Sequence, residues 1–167
     1  MKSTRRRAQA CLPAPPDLRG YPVRVDSVRS ITEGREGVLE QTVLPQHGAD
    51  RFQNAGVTVL ATPVLCHWFE SAAVRAIADH LEPGEATVGT RLGIEHLKAT
   101  PVGMQVRVTA RVVAAEGRRV SFEILAVDEV ELIARGTHQR VVVDLGRFLA
   151  TVELKNAARM TGGADDG

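Results

Sequence analysis

The sequence predicts an α+β domain in which an antiparallel sheet wraps around one long central helix. Three observations carry this. Residues 63–81 follow a helical period behind an N-terminal start signal, four segments after them have the length and composition of strands, and one such segment precedes them. The 167 residues suit one domain with tails, and a hydrophobic content of 44% is enough for a packed core.

Residues 1–24 hold Arg5, Arg6 and Arg7, then Pro13, Pro15, Pro16 and Pro22 with few apolar residues between them. A disordered tail is expected there, the basic run being a solvated end. The domain itself is expected over residues 25–154, with a second disordered tail over 155–167, where Gly162, Gly163, Asp165 and Asp166 cluster. The first strand is expected from Gly37 to Leu44, where Val38, Glu40 and Thr42 alternate with Leu39, Gln41 and Val43. Pro45 to Thr58 carries Gly48, Asp50, Asn54 and Gly56 and reads as an irregular loop leading into the helix; loops so placed often cover a site.

Thr62 followed by Pro63 reads as an N-cap hydroxyl ahead of a proline at the first helical position. Wound at 3.6 residues per turn, the segment puts Cys66, Glu70, Ala73, Val74, Ile77 and Leu81 on one stripe, with Ser71, Arg75, Ala78 and Asp79 opposite. Glu70 is therefore expected inside the apolar face. A carboxylate there is either a satisfied buried group, a subunit contact or an acid/base catalyst.

Glu82-Pro83-Gly84-Glu85 stops the helix. A strand from Ala86 to Leu97 follows, with Val88, Leu92, Ile94 and His96 expected on one face and Thr87, Gly89, Arg91, Gly93 and Glu95 on the other. After the Thr100-Pro101-Val102-Gly103 turn, Gln105 to Ala115 alternates cleanly, with Val106, Val108, Ala110, Val112 and Ala114 against Gln105, Arg107, Thr109 and Arg111. Glu116-Gly117-Arg118 joins it as a hairpin to Val120–Val127, and Leu132 to Asp144 makes the last strand, on which His138 and Arg140 share a face. One strand, one long helix and four strands in meander bury the helix against a second layer, which is a hot-dog arrangement. A lone sheet of this kind leaves an edge and an apolar flank that a two-fold partner covers, so a homodimer is expected.

The formal charge is +1 with 25% charged residues, which argues against nucleic acid or an anionic membrane as partner. No apolar run approaches the roughly 18 residues of a bilayer span, and no secretory leader is expected. Cys11 and Cys66 form no disulfide framework, consistent with a cytoplasmic protein. Cys66, His67 and Glu70 point in different directions around the helix and lack a second ligand pair, so neither a metal nor a cofactor is expected.

The segment Ala61-Thr62-Pro63-Val64, Glu70 eight residues beyond Thr62, Val88-Gly89-Thr90, His96 with Ala99-Thr100-Pro101-Val102-Gly103, Glu116-Gly117-Arg118-Arg119 and Gly136-Thr137-His138-Gln139-Arg140 together resemble the fluoroacetyl-CoA thioesterase family of hot-dog proteins. The resemblance runs from about Val59 to about Leu154. It implies a dimer with active sites at the subunit interface, hydrolysis of small acyl-CoA thioesters without a cofactor, Thr62, Glu70 and His96 as a catalytic trio, and Gly89 and Arg140 as substrate-binding residues. The family's fluoroacetyl preference is associated with a phenylalanine-bearing lid before the helix, where this chain has Gln53 and Gly56; Phe52 is the nearest aromatic replacement.

Each of these residues also has a plainer reading: Thr62 as an N-cap, His96 as a satisfied core histidine, Arg140 as an ion-pair partner of Glu70 or Asp144, and Gly89 as a bulge. Glu70 lies about 12 Å along the helix axis from Thr62, so one continuous helix does not bring them into contact. The substrate bridges that gap, or a second subunit does. The nucleophile is left open between Thr62, Glu70 and a water activated by His96. The rival function is a non-catalytic hot-dog module that binds a thioester or merely dimerises; a hydratase is disfavoured because its Asp and His signature is missing.

Overall fold

The computed structural model describes residues 31–161. The expected N-terminal tail, with its arginines, prolines and Cys11, lies outside the described residues, as do residues 162–167. Strand β1 (Glu36–Thr42) leads through two short 3₁₀ turns (Pro45–His47 and Ala49–Phe52) into helix α1 (Thr62–Ile77). Strands β2 (Glu85–His96), β3 (Gln105–Glu116), β4 (Arg119–Asp128) and β5 (Leu132–Asp144) follow, then a helix α2 (Leu145–Thr161). The strands form one antiparallel sheet in the order β1-β3-β4-β5-β2, so β1 and β2 are its edges.

The core forms where the alternating strands meet α1. Val106, Val108, Ala110 and Val112 of β3 and Val120, Phe122, Ile124 and Ala126 of β4 are buried, as their period of two requires. Opposite them stand Leu65, Phe69, Ala72, Ala76 and Ile77 of α1. Burying a side chain the size of Phe69 or Phe122 contributes about 1.5–3 kcal/mol.

The buried face of α1 is not the expected stripe. Leu65, Trp68, Phe69, Ala72, Ala73, Ala76 and Ile77 face inward, whereas Val74 is exposed and Cys66 and Glu70 sit at the margin. The helix is apolar on most sides, so periodicity alone selects no single face. Close approach decides: a Cβ built on Gly37 of β1 would overlap the Ala72 carbonyl and the Ala76 nitrogen. Only the row of alanines lets helix and strand lie that near. Gly37→Ala is therefore expected to cost at least about 1–3 kcal/mol through overpacking and to lower Tm by several degrees in a thermal melt; an unchanged Tm would refute this close contact.

Two helix boundaries also differ from expectation. Ala61 is the N-cap, with Thr62 already in the first turn and no side-chain cap bond, because the Thr62 hydroxyl is turned to a partner on β2. At the other end α1 stops at Ile77 and continues as a 3₁₀ turn over Ala78–His80.

Strand β2 carries the largest departure. Gly89 pairs with Arg140 and Arg91 with Gln139, which leaves Thr90 as an extra residue in a bulge. The bulge shifts the alternation by one. Thr87 and Gly89 thereby join Leu92, Ile94 and His96 on the face of His138 and Arg140, and Val88 turns to the opposite face.

Helix α2 was not predicted and runs past Leu154 into the stretch expected as a tail. Asp144 caps it, its Oδ1 accepting from the Arg147 N–H at 2.9 Å, and no proline interrupts residues 145–161. Its apolar residues Leu145, Phe148, Leu149 and Val152 are exposed and pack into no core, which is why hydrophobic patterning passed over it. Among the described residues no helix is long and apolar enough to cross a membrane.

Candidate active site

Helix α1 and the end of β2 meet at two of the residues singled out above. The Thr62 hydroxyl and His96 Nδ1 share a hydrogen bond of 2.9 Å. The His96 imidazole is half-buried, and burial pushes its pKa below the ordinary histidine value, with the Lys98 backbone opposing. That shift favours the neutral imidazole, and its buried Nε2 has no hydrogen-bond partner among the described residues. Beside the pair stands the start of α1, whose first N–H groups and dipole present positive potential.

A second cluster is built from the middle of α1, the bulged strand and β5. Arg140 is 6% exposed, and each of its three guanidinium nitrogens makes a hydrogen bond. Nε donates to the Thr87 hydroxyl at 3.0 Å, Nη2 to the Thr87 carbonyl at 2.9 Å and Nη1 to His138 Nε2 at 3.2 Å. Nη1 also lies 3.7 Å from Glu70 Oε2. His138 must be neutral with its proton on Nδ1, since Nδ1 donates to the Arg91 carbonyl at 2.7 Å while Nε2 accepts from Arg140. Burial lowers its pKa, opposed by the Arg91 bond, and the Arg140 charge acts in the same direction as burial. Burial likewise lowers the Arg140 pKa, opposed by Glu70; at so high a starting value it stays cationic.

Gly89 makes room for this arrangement. A Cβ there would stand 2.9 Å from Glu70 Oε1 and 3.1 Å from His138 Cε1. The Glu70 carboxylate thus leans over a bare stretch of strand beside a buried guanidinium while its side chain stays 46% exposed. Buried charge holds it; open space leaves it available. Burial and then the Glu70 charge push the Cys66 thiol pKa up, which disfavours its thiolate.

Of the residues named from sequence, the structure joins Thr62 to His96, and Glu70 to Arg140 and Gly89. It does not join Glu70 to the first pair, which follows from their spacing along one straight helix. Of the plainer readings, the Glu70 ion pair of Arg140 and the bulge beside Gly89 are both present, and each also serves the site. Sequence reasoning missed Thr87 and the part played by His138. The shared face of His138 and Arg140 was a signal for the second; nothing in strict alternation could have found Thr87, because the bulge reverses its side.

An antiparallel sheet curled around one central helix makes this a protein of the hot-dog class. Residues 43–145 match the family model described as fluoroacetyl-CoA-specific thioesterase. The chain belongs to that family and is a thioester hydrolase. It is 45% identical over 100 residues to the fluoroacetyl-CoA thioesterase of Streptantibioticus cattleyicolor, a match covering 60% of this chain and 72% of the relative. The solved structure of the fluoroacetyl-CoA thioesterase FlK superposes with a TM-score of 0.72 at 36% identity, covering 75% of this chain and 98% of that one. A hot-dog-like protein from Thermanaerovibrio acidaminovorans shares the fold, with a TM-score of 0.73 at 23% identity, over 78% of this chain and 96% of that one.

Proposed function

We propose that the chain hydrolyses a small acyl-CoA thioester to the free acid and CoA as a homodimer, using Thr62, Glu70 and His96 in catalysis and Gly89 and Arg140 to shape the acyl site. The observation that carries this is the 2.9 Å hydrogen bond between the Thr62 hydroxyl and His96 Nδ1. Neutral His96 accepts the Thr62 proton as the hydroxyl oxygen attacks the thioester carbonyl carbon. The oxygen that becomes negative lies against the start of α1, where N–H groups and the helix dipole favour it. The C–S bond breaks, CoA leaves as the thiol with the proton from His96, and a water then hydrolyses the Thr62 ester.

Glu70 acts on that water. Because it stands about 12 Å along the axis from Thr62 of its own chain, it serves the Thr62 and His96 of a second copy. The β2 edge supports such a dimer: β2 is paired with β5 on one side only, and an unpaired edge carrying His96 at its end is a natural two-fold seam.

Substrate choice follows from the loop before α1. An apolar pocket discriminates one methylene or its equivalent by only about 1–3 kcal/mol, so strong selection for a fluorinated two-carbon acid needs an added cover. At the positions where the family resemblance places a phenylalanine lid, this chain has Gln53, in a left-handed turn at φ 64°, and Gly56. The nearest aromatic, Phe52, is 47% exposed. Fluoroacetyl-CoA is therefore expected to be hydrolysed with a kcat/KM within about ten-fold of acetyl-CoA, and four- or five-carbon acyl-CoAs are expected to be accepted. Thiol release across this series on one preparation tests both points. No hydrolysis of any acyl-CoA would overturn the function, and a preference of several orders of magnitude for fluorine would overturn the open lid.

A further inference from the structure

We propose that Thr87 is a positioning residue that holds the Arg140 guanidinium back from full pairing with Glu70, leaving the carboxylate oxygens free for the water of the hydrolytic step. This rests on the role given to Glu70 above and adds a residue to it. The observation behind it is a contrast among the arginine–glutamate pairs of one chain. On the exposed surface Arg107 Nη1 donates to Glu40 Oε1 at 2.6 Å, and Arg135 donates to Glu95 Oε2 from Nε at 2.9 Å and from Nη2 at 2.7 Å. Both pairs have closed to the length of charge-assisted hydrogen bonds. Arg140 is buried, where solvent screens the attraction least, yet its Nη1 stands 3.7 Å from Glu70 Oε2. The inner pair is held open.

Other acceptors hold it. The Thr87 hydroxyl accepts from Nε at 3.0 Å and the Thr87 carbonyl from Nη2 at 2.9 Å, so one residue grips two of the three guanidinium nitrogens. His138 Nε2 accepts from the third, Nη1, which is the nitrogen facing Glu70. The bulge in β2 arranges both grips. Thr87, before it, reaches the face of Arg140 because Thr90 is the extra residue, and Arg91, after it, offers the carbonyl that fixes His138 with a free lone pair on Nε2. Gly89 lies between them, and over it leans Glu70 Oε1, 2.9 Å from where a Cβ would stand. With the Thr87 hydroxyl removed, Nε of a buried guanidinium loses its acceptor, and the strongest acceptor beside it is the Glu70 carboxylate. A closed, two-pronged pair occupies both oxygens that the water needs.

The test is steady-state hydrolysis of acetyl-CoA by the wild type, by Thr87→Val, which keeps the side-chain shape without the hydroxyl, and by Thr87→Ser, which keeps the hydroxyl. Thr87→Val is expected to lower kcat roughly ten- to a hundred-fold, the scale of one hydrogen bond to a charged group, with KM within about two-fold of the wild type. Thr87→Ser is expected to restore most of the loss. A second arm repeats Thr87→Val in Glu70→Gln protein, where it is expected to change kcat by less than about two-fold, since the hydroxyl acts only through the carboxylate. A crystal structure of Thr87→Val is expected to show an Arg140 nitrogen about 2.8 Å from a Glu70 oxygen. Wild-type kcat in Thr87→Val, no rescue by Thr87→Ser, an equal loss with and without the Glu70 carboxylate, or an ion pair still open in the variant would overturn the proposal. Failure of the reading beneath it looks different: Glu70→Gln then keeps wild-type kcat, and the proposal falls with it.

Discussion

Replacing His96 by alanine is expected to lower kcat/KM by about 10³-fold, the scale of a positioned general base. Among the described residues the imidazole is the only group bonded to the Thr62 hydroxyl, at 2.9 Å, so its removal takes away the proton acceptor that the proposed attack by Thr62 needs. The pH profile supplies the sharper readout. If His96 is the base, its neutral form is the active one, so kcat/KM is expected to rise with pH through the His96 pKa and to be lost below it. Burial disfavours the imidazolium and moves that pKa below the ordinary value of about 6.5. The acidic limb is thus expected at lower pH than for an exposed histidine, and His96→Ala is expected to remove the limb along with the activity. A variant retaining the wild-type profile would exclude His96 as the base.

Glu70→Gln is expected to cost about 10²–10⁴-fold in kcat by the same scale, with a modest effect on stability. The amide occupies the space over Gly89 and removes only the charge 3.7 Å from Arg140, whose hydrogen bonds to Thr87 and His138 remain. Glu70→Ala is the harsher change, since it leaves a nearly buried guanidinium without its counter-charge. If Glu70 serves the Thr62 and His96 of a second copy, inactive Glu70→Gln and inactive His96→Ala proteins complement each other. Co-expressed in equal amounts they form heterodimers in half of all pairings, each with one complete site, so about a quarter of wild-type activity returns. Mixtures with no recovered activity would place Glu70 with its own chain's Thr62, and a monomer by light scattering would remove the shared site altogether.

The contrast between strands and helix shows where sequence reasoning holds. On β3 and β4 an apolar residue at every second position admits one buried face, and Val106, Val108, Ala110, Phe122 and Ile124 lie where alternation puts them. The existence of α1 and its start beside Pro63 are equally local, as they depend on dihedral preferences of the residues themselves. Thr62, Glu70, His96, Gly89 and Arg140 were picked out as a set through the resemblance to a known family, since periodicity alone gave each a plainer reading. By itself, then, the sequence determined the order of the strands along the chain and the central helix.

Which way those side chains meet was decided by packing. Nearly every side of α1 is apolar enough to be buried, and only the fit of Ala72 and Ala76 against Gly37 turned Leu65 and Phe69 inward and left Glu70 at the margin. Thr62 is an ordinary N-cap candidate until β2 offers it His96. One extra residue, Thr90, reverses the alternation of β2 and carries Thr87 and Gly89 to the side of Arg140, an outcome set by how β2 registers against β5. Local patterns record which residues are apolar or reactive; the side each one presents depends on contacts between segments far apart in the chain, and those exist only once the sheet has closed around the helix.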